Sequence, residues 1–263
     1  MLNDFFQSLN FEFPWERFVA LPRHPAYRYQ YREGKASISG NPRYYHCVLP
    51  LNEQTTARKE PAGKSVSCFF SEFDLRRLHE SDWKQFSPLF AAAFQQPPPL
   101  LQLTEAQRLS AAQALLERTR TGGDGPIVPE ASWVFEDRDT GELLAAILIT
   151  LVPVGDVSDF THHSWAQAAP PNALETGWGQ PHLTWIFVSP HKQRRSLGSL
   201  LLREAASALL RMGYPELVST FLLGDHASML WHWRNGFQLA GHPASPGQAR
   251  DQRTDSPPDH GSR

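Results

Sequence analysis

The chain has 263 residues, of which 41% are hydrophobic, so it is long enough for one large domain or two small ones. Its 25 Lys and Arg residues nearly balance 27 Asp and Glu residues, which gives no global attraction to nucleic acid or to an anionic membrane. Two cysteines are too few for a disulfide scaffold, and the longest apolar run, 143–152, is half of what a membrane span needs. The chain begins without a signal-peptide pattern, so we expect a soluble, cytoplasmic protein.

Residues 1–62 have a character of their own. Aromatic and β-branched residues surround two turn signals, REGK at 32–35 and SGNP at 39–42, and this pattern predicts small β-hairpins. The polar stretch 52–65, with Pro and Gly, predicts a linker or a long loop. We therefore expect an N-terminal β-rich extension over residues 1–62.

The sequence pattern after this extension predicts a strand, two helices and a hairpin. A strand is expected in SVSCFFSEF, and apolar residues recur at helical spacing over 80–94, with an interruption at Pro88. Thr104 and Gln107 form a capping box that opens the second helix. Two apolar runs flank the turn RDTG, and the second run, 143–152, lacks alternation, which predicts a central strand buried on both faces.

A long insertion and a strand–turn–helix follow. Residues 153–181 are rich in Pro, Gly, His and Trp, and a loop of this length is more often functional or disordered than connective. The strand pattern HLTWIFVSP then leads through a turn with two arginines into an amphipathic helix that ends at Gly213. Such a turn suits a pyrophosphate, because helix N-termini carry unpaired N–H groups and partial positive charge. A capped helix with solvent-exposed arginines is the alternative interpretation.

A strand, a short helix, the dipeptide Gly-Phe and a last strand complete the pattern, and the polar tail 244–263 predicts disorder. This order of elements resembles the GNAT superfamily of acetyl-CoA-dependent N-acetyltransferases. A strand ending in Val-Ser-Pro leads into the segment 193–198, in which Gln193 and Gly198 match the two ends of the family's acyl-CoA motif. Ser196 departs from the motif, because it stands where the first glycine is expected.

The later motif of the family is also present. Gly236 and Phe237 keep the spacing of the family's Gly-Phe pair, Asp225 replaces its asparagine, and His232 occupies the position that usually holds tyrosine. Two motifs in the right order and at the right separation are more specific than either alone. The resemblance covers residues 66–243.

The resemblance implies an α/β protein with the GNAT fold, a mixed central sheet flanked by helices, with the β-rich extension before it. It implies direct transfer of an acetyl group from acetyl-CoA to an amine acceptor, without a metal. The main chain of the motif strand and the turn after it would hold the co-substrate. The residues that the resemblance places in the co-substrate site are Phe187, Val188, Gln193, Arg194, Arg195, Ser196, Leu197, Gly198, Ser199 and Asp225.

His232 and Glu175 are the catalytic candidates. His232, at the tyrosine position, would protonate the leaving thiolate, whereas Glu175, just before the motif strand, would act as base; a packed histidine and a solvated glutamate are the structural alternatives. His182 opens the motif strand, where it either lines the acceptor site or packs.

The expected partner is an amine-bearing acceptor of unknown size, without nucleic acid or membrane, and a homodimer is left open. Ser196 and His232 depart from the family motifs, and they keep an alternative function open. In that alternative the protein is a non-catalytic acyl-CoA-binding sensor, or a scaffold whose N-terminal unit is a binding module.

Overall fold

The computed structural model describes residues 9–12, 14–21, 27–40, 44–56, 72–95, 103–155, 167–222 and 225–240. The strands in these residues, β1 to β10, are Leu9–Glu12, Tyr27–Arg32, Lys35–Gly40, Tyr44–Pro50, Phe73–Arg77, Trp133–Asp137, Leu143–Val152, Gln180–Val188, Glu216–Leu222 and Gln238–Leu239. The α-helices, α1 to α7, are Trp15–Val19, Glu53–Thr56, Trp83–Ala93, Glu105–Arg120, Ala173–Thr176, Leu197–Arg211 and His226–Arg234. Short 3₁₀ helices lie at Glu80–Asp82, Pro129–Ala131 and Pro190–Lys192. Part of the predicted insertion, 156–166, and the predicted tail, 244–263, lie outside the described residues.

The strands form two sheets. β1, β3 and β2 make a three-stranded antiparallel sheet, and the other strands make a seven-stranded sheet in the order β10-β4-β9-β8-β7-β6-β5. Neighbours in the large sheet are antiparallel except β8 and β9, which are parallel. The predicted α/β class, a mixed central sheet flanked by helices, is confirmed.

One inner strand of the large sheet comes from the segment predicted as a separate extension. β4 pairs antiparallel with β9 along its whole length and with β10 on its other side. The side chains of Cys47 and Leu49 are buried in the core of the large sheet. The predicted boundary after residue 62 therefore does not separate the extension from the main sheet. The hairpin predicted at REGK is present, since β2 and β3 pair up to Arg32 and Lys35.

Helices cover both faces of the large sheet. β7 is an inner strand beside the middle strand, β8, and residues 143–151 are all buried, which confirms the predicted strand buried on both faces. Ile147 and Ile149 belong to the core that includes α6, whereas Ala146 and Leu148 belong to the core that includes α3 and α4. The packed sheet therefore supports the end of β8, where the predicted site lies.

Local patterns set the helix bounds in most places. The capping box opens α4 as predicted, because Gln107 N–H donates to the Thr104 hydroxyl at 3.3 Å and Thr104 N–H donates to the Gln107 side chain at 2.9 Å. The interruption predicted at Pro88 is absent: α3 continues through this residue, which is exposed, so water can bond the carbonyl that a proline leaves unpaired. The strand expected in SVSCFFSEF is described only from Phe73, because residues 57–71 lie outside the described part.

Candidate active site

β8 and β9 run side by side for only two residue pairs and then part. Their parallel ladder consists of His182 opposite Val218 and Leu183 opposite Ser219. Beyond these pairs β8 runs on to Val188, and β9 to its own end, without any pairing between them. On its other side β8 stays paired with β7. The edge of β8 that faces the gap therefore carries backbone groups without a strand partner, and a linear ligand that forms hydrogen bonds fits there.

A β-bulge in β8 marks the point where the strands part. Leu148 lies opposite Trp185 and Ile149 lies opposite Leu183, so Thr184 has no residue opposite it on β7. An extra residue of this kind bends a strand and increases its twist, and such bulges are common beside active sites. The bulge gives a physical reason for the parting of β8 from β9.

The predicted phosphate turn lies between the 3₁₀ helix that follows β8 and the start of α6. Arg194 and Ser196 take left-handed φ angles of 60° and 62°, whereas Arg195 between them does not. Alternation of this kind turns successive backbone N–H groups toward one side and forms a concave anion site. A non-glycine residue in this conformation costs roughly 1–2 kcal/mol, and such strain is typical of ligand sites.

The first turn of α6 offers backbone donors to this site. The first N–H to bond within the helix is that of Leu200, which donates to the Ser196 carbonyl at 3.0 Å. The N–H groups of Leu197, Gly198 and Ser199 make no hydrogen bond within the described residues, and the Ser196 side chain does not cap the helix. Three unpaired donors, the positive end of a helix and the exposed arginines of the turn together favour an anion.

Gly198 is closely packed. A Cβ at this position would lie 3.1 Å from Nε1 of Trp231 on α7 and 3.4 Å from Cδ1 of Ile186 on β8. A side chain here would require the Trp231 ring to shift by a few tenths of an ångström. The motif glycine therefore keeps the unpaired donors of α6 close to the gap.

The predicted site residues of β8 offer their main chain. The Phe187 side chain is buried, with its ring edge-on to those of Phe86 and Phe90 at 5.4 Å in both cases, so only its backbone is available to a ligand. The Val188 carbonyl accepts a hydrogen bond from the Gln193 side chain at 3.4 Å. Gln193 thus ties the phosphate turn to the end of β8.

His232 serves the fold through both of its ring nitrogens. It is 3% exposed; Nδ1 lies 2.8 Å from the Ser228 carbonyl oxygen, and Nε2 lies 2.9 Å from the Ser219 hydroxyl. Because a carbonyl only accepts, Nδ1 carries the hydrogen and Nε2 accepts from Ser219. Burial lowers the pKa of His232, which keeps the ring neutral. This arrangement disfavours the role of acid, which stays a prediction.

Asp225 and Glu175 lie in different settings. Asp225 caps α7, since its carboxylate accepts the Ser228 N–H at 2.9 Å, and aspartate and asparagine are equally good at this position. Glu175 is exposed on the short helix α5. Their predicted roles in binding and catalysis stay predictions.

His182 is the histidine beside the gap. It belongs to the last two residue pairs before the strands part, and its Nδ1 lies 3.0 Å from the Thr184 hydroxyl oxygen. Burial, together with the imidazoles of His46 and His232, lowers the pKa of His182 to about 4, so the ring is neutral near pH 7. The sequence pattern places His182 only at the start of a strand, because its position beside the gap depends on the bulge and on the pairing with β9.

Among the described helices, none combines the length and the apolar character that a bilayer crossing requires. Within the same part of the chain, no three side chains of the metal-ligating types come together.

No protein-family model matches the chain, and no curated protein matches it either. Among solved structures it is similar to an acetyltransferase from Trypanosoma brucei, at 20% identity over 65% of this chain and 96% of that chain, with a TM-score of 0.39. It is also similar to a GNAT family acetyltransferase from Brucella melitensis in complex with acetyl-CoA, at 19% identity over 64% of this chain and 87% of that chain, with a TM-score of 0.41. An aminoglycoside antibiotic 6'-N-acetyltransferase from Acinetobacter haemolyticus is similar at 16% identity over 63% of this chain and 90% of that chain, with a TM-score of 0.39. Because these identities and TM-scores are low, the functional proposal rests on the geometry of the gap and the turn.

Proposed function

We propose that this protein is an acyltransferase that moves an acetyl group from acetyl-CoA to an amine acceptor. The observation that carries this proposal is that the gap between β8 and β9 leads into the strained turn at the start of α6. CoA is a linear molecule with phosphates at one end, amides along its arm and a thiol at the other end. The turn suits the phosphates, and the unpaired edge of β8 suits the amides.

The pyrophosphate would lie at the N-terminus of α6. The N–H groups of Leu197, Gly198 and Ser199 have no other partner within the described residues, and they become its donors. Arg194 and Arg195 are exposed, and they add positive charge from the turn itself. The site has the donors, the charge and the concave backbone that a pyrophosphate requires.

The length of the gap sets where the thioester lies. From Val188 at the turn to Leu183 at the last strand pair, five residue steps at about 3.3 Å each give a gap of roughly 17 Å. An extended pantetheine arm anchored at the turn has the reach to bring its thioester toward the closed end of this gap. The reaction would therefore take place beside His182 and Thr184.

The chemistry is a direct transfer. The amine nitrogen attacks the thioester carbonyl carbon, so that a C–N bond forms and the C–S bond breaks. A base takes the proton that the nitrogen loses, and the leaving thiolate takes a proton from water or from an acid. Unpaired N–H groups on the edge of β8 are preorganised donors for the carbonyl oxygen, which gains negative charge in the transition state.

CoA binding and turnover test this proposal separately. Calorimetry measures CoA affinity, and thiol release from acetyl-CoA across a panel of amines measures turnover. Arg194→Ala combined with Arg195→Ala should weaken CoA binding by roughly 1–3 kcal/mol, because charge-assisted contacts to phosphate are lost. Arg211→Ala combined with Arg234→Ala is the matched control, since it removes two exposed arginines away from the turn.

The outcomes separate the candidate functions. Parental affinity in the folded double variant Arg194→Ala, Arg195→Ala would remove the arginines from the site and leave binding to the backbone. CoA binding without turnover for any amine would favour the non-catalytic acyl-CoA-binding sensor. Absence of CoA binding would overturn the proposal.

A further inference from the structure

A chain of hydrogen bonds connects His182 to a backbone carbonyl. The Thr150 hydroxyl oxygen lies 2.8 Å from the Asp124 carbonyl oxygen and 2.8 Å from the Thr184 hydroxyl oxygen. The Thr184 hydroxyl oxygen in turn lies 3.0 Å from Nδ1 of His182. Thr150 is completely buried, so its hydroxyl cannot exchange these partners for water.

The carbonyl at one end sets the direction of every bond in this chain. A carbonyl only accepts and a hydroxyl has one hydrogen, so Thr150 donates to Asp124 and must accept from Thr184. Among the described residues, the one other acceptor for Thr184 is the His182 carbonyl oxygen at 3.5 Å, which is a much longer contact. Thr184 therefore accepts from Nδ1–H, and the lone pair of the neutral His182 ring lies on Nε2.

The Asp124 end of this series of hydrogen bonds is fixed in place. The Asp124 carboxylate forms an ion pair with Arg118 and accepts the Thr119 hydroxyl at 2.7 Å. Thr119 also accepts Nε1–H of Trp185 at 2.8 Å, and Trp185 directly follows the bulged residue. The network therefore holds the bulge and the acceptor carbonyl together.

We propose that Nε2 of His182 is the proton acceptor for the attacking amine, and that Thr184 and Thr150 are positioning residues that hold its tautomer. This inference rests on the proposed acyl transfer. His182 lies at the closed end of the gap, which the thioester reaches, and Nε2 has no hydrogen-bond partner within the described residues.

The proton balance of the step is simple. As the C–N bond forms, the nitrogen becomes strongly acidic, so a weakly basic imidazole is sufficient to take its proton. The proton moves to Nε2, while Nδ1–H stays on Thr184, and the imidazolium then releases the proton to water. The titratable groups whose charge acts on His182 are the imidazoles of His46 and His232, and burial lowers the pKa of both, so neither opposes the transient charge near pH 7.

The tautomer can be measured without any substrate. Long-range ¹H–¹⁵N spectra of the uniformly labelled protein distinguish a protonated ring nitrogen from an unprotonated one. We expect the hydrogen of His182 on Nδ1 in the parent and in Thr184→Ser, and on Nε2 in Thr184→Val, which lacks the acceptor. Thr121→Val is the control, because it removes a threonine hydroxyl that donates to the Glu117 carbonyl at 2.8 Å, outside this network. A parent ring protonated on Nε2 would overturn the inference.

Kinetics test the use of this nitrogen. His182→Gln should lower kcat by about 10²-fold or more, the typical contribution of a general base, with CoA affinity unchanged. Thr184→Val should lower kcat roughly three- to tenfold, the worth of one hydrogen bond, while Thr184→Ser and Thr121→Val retain kcat. Parental kcat in His182→Gln would overturn the role of base, and parental kcat in Thr184→Val would overturn the role of positioning. Absence of CoA binding in the parent would instead overturn acyl transfer, and the catalytic use of His182 with it.

Discussion

Deleting residues 1–51 should unfold the large sheet, because β4 is one of its inner strands. The deletion removes the only strand that links β9 to β10 in the described sheet. It also removes Leu51, whose N–H donates to the Pro215 carbonyl at 2.8 Å. β9 would become an exposed edge, and β10 would lose its partner.

The magnitude follows from the side chains that lose their burial. Leu49 is 1% exposed and Leu51 is 7% exposed, and full burial of a leucine contributes about 1.5–3 kcal/mol. The two leucines alone therefore contribute about 3–6 kcal/mol, which is comparable with the whole stability of a typical domain, about 5–15 kcal/mol. At roughly 2–4 °C per kcal/mol, this predicts a fall in Tm of about 6–24 °C if the remainder folds at all.

Deletion of residues 1–40 is the matched control. It removes the three-stranded sheet and keeps every strand of the large one. Calorimetric or circular-dichroism melting of both variants measures the difference. A variant lacking residues 1–51 whose Tm lies within a few degrees of the control would refute the reasoning, because the sheet would then not depend on β4.

Three further predictions concern Ser196, His232 and the pH dependence of stability. Ser196→Gly should bind CoA as tightly as the parent or more tightly in calorimetry, since glycine takes φ of 62° without strain, and a clear loss would show that the hydroxyl contacts the ligand. His232→Ala should lower the free energy of unfolding by about 1–3 kcal/mol by leaving buried polar groups unpaired, with kcat of the folded protein unchanged; a large loss of kcat in a stable variant would restore its role as acid. Burial lowers the pKa of His182 and His46 from 6.5 to about 4, so the unfolded chain binds more protons and stability should fall as pH drops from about 6.5 toward 4. Melting curves across this range should lose part of that slope in His182→Gln and keep it in His226→Gln, which changes an exposed histidine.

Local signals predicted the parts of the fold that depend on neighbours in the sequence. The capping box at Thr104 and the apolar run 143–152 each have a short-range physical cause, and the structure contains both features. The place of β4 has no such cause, because its partners on β9 lie about 170 residues further along the chain, as the contact between Cys47 and Ser219 shows with a separation of 172. Aromatic and β-branched residues predict a strand, but they do not predict which sheet the strand joins.

In the candidate site, too, some features depend on sequence neighbours and others depend on strand pairing. The turn at 193–198 was predictable because a helix N-terminus with small and basic residues is a local pattern, and the left-handed φ of Ser196 is the conformation that the expected glycine would take. The bulge at Thr184 was not predictable, because it is a shift in the register of β8 against β7, and this register depends on the pairing of two strands. For that reason the sequence pattern indicates only that His182 opens a strand and either lines the acceptor site or packs.

The two histidines show why a low pKa alone does not identify a catalytic group. Burial lowers the pKa of both His232 and His182 and keeps both rings neutral. In His232 each nitrogen already has a fixed partner, Ser228 on one side and Ser219 on the other, so a proton transfer would break a bond of the core. In His182 the described residues give a partner to Nδ1 alone, and that partner leaves the lone pair on the second nitrogen. A buried imidazole can act as a base when the protein uses one nitrogen to orient the other, and this condition is the reason that we propose His182, and not His232, as the base.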